Sequence, residues 1–312
     1  MSLVRVFRCL LSADILSVPI PDSIEDLLPD DFYARCESRR ASFYTGRLLL
    51  AAVLSEYYGV NSLRATDFLI SEHGKPFFSE SFYLRTGITD RIYFNLSHSA
   101  NCLCLSISDE DTAIDTEFVR QRKSMNDLAL KYYGEDEQNI MAADGDGGVT
   151  SFFSFWTVRE TLVKYSGRGL SGITGFKFAL NGDRVLRNDV FSHIRIHGIA
   201  ECSVSPADQR PEKDNTEEGI DFSQVRFLDI EPTCENRMYP HGSLILTFNS
   251  EQELEKDGTP EKYSMSVFIG AGSGVGYLEF HDAVMPDIPG RNVIIRPEAA
   301  GIRLCLISRI VF

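Results

Sequence analysis

No apolar run in this chain reaches the roughly 18–20 residues that a membrane span needs, so a membrane protein is not expected. Met1 to Ala13 carry Arg5 and Arg8 among their apolar positions and lack a clean apolar core followed by a small-residue cleavage site. They are expected to form a first strand rather than a secretion signal. No C-x-x-C pair occurs among Cys9, Cys36, Cys102, Cys104, Cys202, Cys234 and Cys305. Scattered cysteines in odd number are expected to be buried, reduced thiols of a cytosolic protein, a structural zinc site being the other reading. Positive charge is also scarce: 31 Lys and Arg stand against 45 Asp and Glu, a net charge of −14, which excludes general nucleic-acid binding. The deficit is uneven, because residues 206–262 hold 14 acidic and 6 basic residues, which leaves room for local basic patches elsewhere. No Gly-x-Ser-x-Gly elbow is present, so a serine hydrolase is not indicated. The glycine-rich run 270–276 does not fit G-x-G-x-x-G and lies between two expected strands, so a hairpin turn is expected there instead of a dinucleotide loop.

What is present suits a soluble globular protein. Hydrophobic residues make up 43% and charged residues 24% of 312, enough for one large domain or two smaller ones. A strand is expected at 3–12 and a long helix at 31–58, where Phe43, Leu48, Leu49, Ala52 and Val53 lie near a 3.6 period and Gly59 supplies the stop. Strands are expected at 91–96, 101–108 and 112–118. The last two read as a hairpin closed by Asp109-Glu110-Asp111, and Cys102 and Cys104 face the same way. Helices are expected at 124–143 and 150–167, separated by a Gly/Asp-rich loop at 144–148. The remainder reads as strands at 175–180, 193–202, 224–230, 243–248, 263–269, 276–280 and 303–311. The stretch 205–220 is polar and charged and is expected to be a disordered loop.

Chemistry concentrates in a few places. Alternation along 113–117 puts Asp115 and Glu117 on one strand face. Two carboxylates so spaced repel unless a cation lies between them, and oxygen-only ligation suits Mg2+. Taken alone, the stretch reads as an ordinary solvated strand end after an acidic turn. On the helix at 150–167, Trp156, Glu160 and Lys164 share a face at i, i+4, i+8, while Phe155, Val158 and Leu162 line the core side and Gly167 stops the helix. That face is either a surface Glu–Lys pair or a third carboxylate beside a cation that reaches a phosphate. Ser97 and His98 leave a strand at a turn, where hydroxyl, imidazole and free backbone N–H groups can hold a phosphate. Gly74-Lys75-Pro76 is a turn whose lysine and flat proline face could support a purine ring, and Arg39-Arg40 with Arg47 form a basic cluster on the long helix.

In this order and spacing the segments Gly74-Lys75-Pro76, Phe94-Asn95-Leu96-Ser97-His98-Ser99, Ala113-Ile114-Asp115-Thr116-Glu117 and Trp156 through Leu170 resemble the 4′-phosphopantetheinyl transferase superfamily. The likeness is to its larger two-lobed class, typified by the surfactin-synthetase activator. It covers about residues 35–180, including an inter-lobe helix and loop at 131–137. Ala113 stands for the usual glycine, Thr116 for an aliphatic and Arg159 for the usual lysine; no carboxylate is lost.

The resemblance implies an α+β fold of two similar lobes with pseudo-two-fold symmetry, each a mainly antiparallel sheet on a long helix. The lobes would span 1–120 and 121–312, with a β-rich insertion at about 187–295. It implies Mg2+ held by Asp115, Glu117 and Glu160, and coenzyme A in the inter-lobe cleft. Lys164 would lie on the pyrophosphate, Ser97 and His98 with Arg40 or Arg47 on the 3′-phosphate, and Lys75 and Pro76 along the adenine. The implied reaction moves the 4′-phosphopantetheine arm to a serine of an apo acyl or peptidyl carrier protein, with Glu160 and Lys164 as catalytic groups, and releases adenosine 3′,5′-bisphosphate. A cytoplasmic monomer is expected. The competing expectations are a coenzyme-A-binding protein without transfer activity and a Mg2+-dependent hydrolase of coenzyme A or a nucleotide.

Overall fold

A computed structural model describes residues 2–11, 13–17 and 22–167, and beyond them the strands 194–196, 226–229, 244–253, 260–269, 275–284, 294–296 and 302–308. The chain opens with strand β1 (Ser2–Leu10), a short helix α1 (Asp22–Glu25) and the long helix α2 (Glu37–Tyr58). A small hairpin of β2 (Phe68–Ile70) and β3 (Pro76–Phe78) follows, then α3 (Glu80–Thr86), β4 (Tyr93–Ser99), β5 (Cys102–Ser108) and β6 (Thr112–Phe118). Next come helices α4 (Met125–Tyr132), α5 (Glu135–Ala143) and α6 (Val149–Ser166). The remaining strands are β7 (Ile194–Ile196), β8 (Arg226–Asp229), β9 (Leu244–Glu253), β10 (Pro260–Ile269), β11 (Val275–Val284), β12 (Ile294–Arg296) and β13 (Ile302–Ser308). No helix among the described residues is long and apolar enough to cross a membrane.

The fold is mixed α/β, with mainly antiparallel sheets. One seven-stranded sheet runs β4-β5-β1-β11-β13-β7, with β12 paired to β11. Its centre is a parallel pair, Ser2–Cys9 of β1 against Gly276–Ala283 of β11; the strands on either side pair antiparallel. The second sheet runs β6-β10-β9-β8. The segment 187–295 thus supplies ladder partners to both β1 and β6.

Two hairpin expectations are corrected. β5 and β6 follow one another across Asp109-Glu110-Asp111 but share no ladder. Both edges of β5 are already occupied, by β4 and β1, so β6 must pass into the second sheet and pair with β10. The strands flanking the glycine-rich run also part company, β10 to the second sheet and β11 to the first, so they form no hairpin; residues 270–274 lie outside the described set. The strand expected at 175–180, the loop at 205–220 and the end of the helical motif at 168–170 lie outside it too.

Apolar periodicity explains the helices. On α2 Leu49, Leu50, Val53 and Leu54 are fully buried in a core shared with Phe7, Phe94, Leu103 and Leu105, each such side chain stabilising by about 1.5–3 kcal/mol. The helix begins at Glu37 rather than 31, because Phe32–Ala34 forms a separate 3-10 turn, and it ends where Gly59 adopts φ +68°. The helix expected over 124–143 is two helices, broken at Tyr133-Gly134, where the Gly134 N–H is accepted by Glu137 Oε2 at 2.9 Å. On α6 every residue from Ser151 to Val163 is buried except Trp156 and Glu160. Together with half-buried Lys164 they form a partly open stripe along the middle of the helix, and Phe155, Val158 and Leu162 face the core as expected. Cys102 and Cys104 do face the same way, their sulfurs 3.7 Å apart; both are buried free thiols, as is Cys9, whereas Cys36 is exposed.

Candidate functional site

Strand β6 lies between two rows of small polar side chains. On one edge its ladder partner β10 sets Ser266 opposite Asp115 and Ser264 opposite Glu117. Thr157 and Thr161 of α6 press onto these serines, with Thr157 Oγ1 2.8 Å from Ser266 Oγ and Thr161 Oγ1 donating to the Ser266 carbonyl at 3.1 Å. Small side chains on both elements let α6 sit close to the strand, and this brings Glu160 and Lys164 over Asp115 and Glu117.

On the other edge β6 faces β4 without a backbone ladder. Three alternate side chains of β4 take its place. Asn95 Oδ1 accepts the Ile114 N–H at 3.1 Å, Ser97 Oγ accepts Thr116 N–H at 3.2 Å, and Ser99 Oγ accepts Phe118 N–H at 3.0 Å. Two of the three reach a carboxylate as well. Ser97 Oγ lies 2.9 Å from Asp115 Oδ1, and Ser99 Oγ 2.9 Å from Glu117 Oε2.

Lys164 Nζ closes the cluster from α6. It donates to Asp115 Oδ1 at 2.7 Å, to Ser97 Oγ at 2.8 Å and to the Ile114 carbonyl at 3.2 Å. Asp115 is 5% exposed, and its second oxygen, Oδ2, is buried without a partner. Glu117 is met by Arg122 at 3.1 Å. Burial, then the charge on Asp115, raises the Glu117 pKa against the pull of Ser99 and Arg122. Glu160 is pushed up to about 7, first by burial, then by Asp115 and Glu117, with Lys164 opposing. Both groups are raised first by burial and then by the neighbouring carboxylate charge.

The other expected residues are placed as follows. His98 points away from Ser97 along the strand and is an exposed residue, yet crowding around its ring, and then the nearby Lys164 and Arg39 charges, lower its pKa against the pull of Asp115. Lys75 Nζ donates to Asp111 Oδ1 at 2.7 Å and to the carbonyl of Tyr165, the residue after Lys164, at 3.3 Å. This docks the Gly-Lys-Pro turn on the end of α6, with Pro76 opening β3. Arg47 lies over the rings of Phe43 at 4.7 Å and Phe68 at 5.0 Å, and burial lowers its pKa to about 10. The Nε atoms of Arg40 and Arg47 are both buried without a partner. Asp115, Glu117, Glu160, Lys164, Ser97 and His98 therefore form one neighbourhood, Lys75 adjoins it, and Arg40 and Arg47 sit apart on α2.

Asn95 and Ser99 stand in the expected motif without an assigned task, and their alternation with Ser97 mirrors that of Asp115 and Glu117. Arg122 carried no signal, because it follows β6 in an irregular bend. Arg159, in the motif beside Glu160, turns the other way. It is fully buried in a double-pronged ion pair with Glu137 at 2.6 Å, under the Tyr133 ring at 4.4 Å.

The anionic groups on β6 and the facing side of α6 are carboxylates, Asp115, Glu117 and Glu160, and carboxylate oxygens suit a hard divalent cation. Among the described residues no group of three Asp, Glu, His or Cys side chains is gathered closely enough to be a ready-made metal cage. Mg2+ does not need one, since it keeps waters and phosphate oxygens and takes one or two carboxylates. The unpartnered Asp115 Oδ2 and the raised Glu117 and Glu160 beside it fit such an ion.

Comparison with known proteins points the same way. A model of the 4′-phosphopantetheinyl transferase superfamily matches residues 112–203. The 4′-phosphopantetheinyl transferase AcpT of Salmonella typhi is 33% identical over 144 residues, which is 45% of this chain and 67% of AcpT. The transferase HetI of a Nostoc species is 29% identical over 143 residues, 45% of this chain and 58% of HetI. A Bacillus subtilis 4′-phosphopantetheinyl transferase is 24% identical over 141 residues, 45% of this chain and 57% of that protein.

Proposed function

This chain belongs to the 4′-phosphopantetheinyl transferase superfamily, and from that premise we propose that it moves the 4′-phosphopantetheine arm of coenzyme A to a serine hydroxyl of an apo acyl or peptidyl carrier protein. The observation that carries the proposal is the meeting of Asp115, Glu117, Glu160 and Lys164 between β6 and α6, with Asp115 Oδ2 left unpartnered. Asp115, Glu117 and Glu160 would hold Mg2+. When bound, the ion would supply charge neutralisation at the pyrophosphate of coenzyme A.

The chain's own groups carry the remaining work. The carrier serine oxygen bonds to the phosphorus that bears the pantetheine arm, and the bond from that phosphorus to the bridging oxygen breaks. The serine proton passes to Glu160, directly or through a water, and adenosine 3′,5′-bisphosphate departs with the electron pair. A carboxylate is among the side chains that serve as general bases in such a step. Lys164 exchanges Asp115 for a phosphate oxygen and meets the charge that develops on the leaving group. Arg40 and Arg47, whose Nε atoms lack partners, would supply cations for the 3′-phosphate and His98 a ring N–H, while Lys75 and Pro76 would border the adenine. The two flanks of the β1–β11 pair, β5-β4 on one side and β13-β7 on the other, are consistent with two lobes of similar build, and coenzyme A would lie between those lobes.

Glu160→Gln tests the assignment, since it keeps shape and an oxygen but removes charge and base. At saturating Mg2+, turnover is expected to fall about 100-fold or more, in the range general bases contribute, with a smaller change in coenzyme A affinity. Near-normal turnover would show that Glu160 is neither ligand nor base.

A further inference from the structure

The two β4 hydroxyls make the same pair of contacts one rung apart. Ser97 Oγ accepts Thr116 N–H and lies on Asp115; Ser99 Oγ accepts Phe118 N–H and lies on Glu117. A hydroxyl has one proton and two lone pairs. At Ser97 both lone pairs are taken, by the Thr116 N–H and the Lys164 ammonium, so its proton goes to Asp115 Oδ1 at 2.9 Å. A phosphate oxygen needs a donor, and Ser97 has none left to offer while Asp115 is ionised. Ser99 accepts Phe118 N–H and donates to Glu117 Oε2 in the same way, without a lysine on its hydroxyl, and Arg122 reaches the same Oε2. Each backbone N–H polarises the hydroxyl that accepts it and strengthens the bond the hydroxyl donates.

We infer that Ser97 and Ser99 are positioning residues: hydroxyls anchored on the β6 backbone that fix the Asp115 and Glu117 carboxylates for a divalent cation, rather than ligands of coenzyme A phosphate. The inference rests on the transferase reading for the identity of the cation. Anchoring to β6 explains why β4 and β6 are stitched by side chains instead of a ladder. The stitch holds each carboxylate from the side away from β10 and leaves Asp115 Oδ2 for the ion. Partners of this kind orient metal ligands and typically govern metal affinity.

The test is calorimetric titration of Mg2+ into the enzyme saturated with coenzyme A, paired with titration of coenzyme A in excess chelator. Ser97→Ala and Ser99→Ala are each expected to weaken Mg2+ binding about 10–100-fold while metal-free coenzyme A affinity stays within about twofold of wild type. Ser99→Thr, which keeps the oxygen, restores Mg2+ binding. If an alanine variant does not fold, Ser97→Cys or Ser99→Cys keeps the shape with a weaker donor and carries the same expectation. Unchanged Mg2+ affinity overturns the inference. So does a loss of metal-free coenzyme A affinity in Ser97→Ala, because the hydroxyl is then a phosphate ligand. Wild-type protein that binds Mg2+ with coenzyme A but never modifies a carrier defeats the transferase reading and leaves this inference standing. Wild-type protein that binds no Mg2+ defeats both.

Discussion

At the scale of single residues, the motif around α6 carries two charges with opposite fates. Glu160 lies on the open stripe, while Arg159, its neighbour, is wholly enclosed with Glu137. Helical spacing alone separates them, because adjacent residues on a helix point about 100° apart. The stripe of Trp156, Glu160 and Lys164 was therefore legible in the sequence, but the partner of Arg159, 22 positions away on another helix, was not. Arg159→Met would leave Glu137 buried without its counter-charge, holding only the Gly134 N–H, and is expected to destabilise the fold by about 3–5 kcal/mol in urea denaturation. A change near zero would mean that Glu137 escapes to water or takes up a proton at little cost. Glu160 makes a second prediction, in pH. Its folded pKa, about 7, lies above the ordinary 4.5, so the folded state holds the proton more tightly than the unfolded chain. The stability this contributes is fully present below about pH 4.5 and is lost as pH rises through about 7. Melting temperature without metal is expected to fall across that window, and Glu160→Gln should flatten the decline. A slope identical in the variant would place the titration elsewhere.

At the scale of elements, the strands themselves were readable from alternation and turn residues, and β4, β5 and β6 fall close to where they were expected. Their pairing was not. A short acidic turn between two strands reads locally as a hairpin, yet the edge that β6 would have used is held by β4 and β1. Pairing is decided by which edges remain free once distant strands have docked, and no local pattern records that. The face of β6 did follow from the period of two, so the carboxylates emerged on one side as expected. What the sequence held but did not announce was the matching alternation of Asn95, Ser97 and Ser99. Asn95 touches no carboxylate, so Asn95→Ala isolates the structural part of the stitch. It leaves the Ile114 N–H buried and unpaired, for an expected loss of about 1–3 kcal/mol read from thermal or chemical unfolding. A neutral result would mean that another acceptor reaches the Ile114 N–H.

At the scale of the whole molecule, a parallel pair of strands joins Ser2–Cys9 to Gly276–Ala283 across most of the chain's length, and both sheets draw strands from both halves. Contacts of that separation leave no periodic trace. Motif order conveyed the site while topology stayed hidden. The net charge of −14 also hides local pairing, since Lys164 meets Asp115, Arg122 meets Glu117 and Lys75 docks on the carbonyl of Tyr165, on a chain whose acidic excess lies largely in 206–262. The most direct measurement of the central claim is mass spectrometry of an apo-carrier protein incubated with the purified chain, coenzyme A and Mg2+. The account predicts that the carrier gains one phosphopantetheine arm at its serine, that adenosine 3′,5′-bisphosphate appears in equal amount, and that a chelator stops both. Coenzyme A cleaved while the carrier stays unmodified, or coenzyme A bound with nothing transferred, would contradict it.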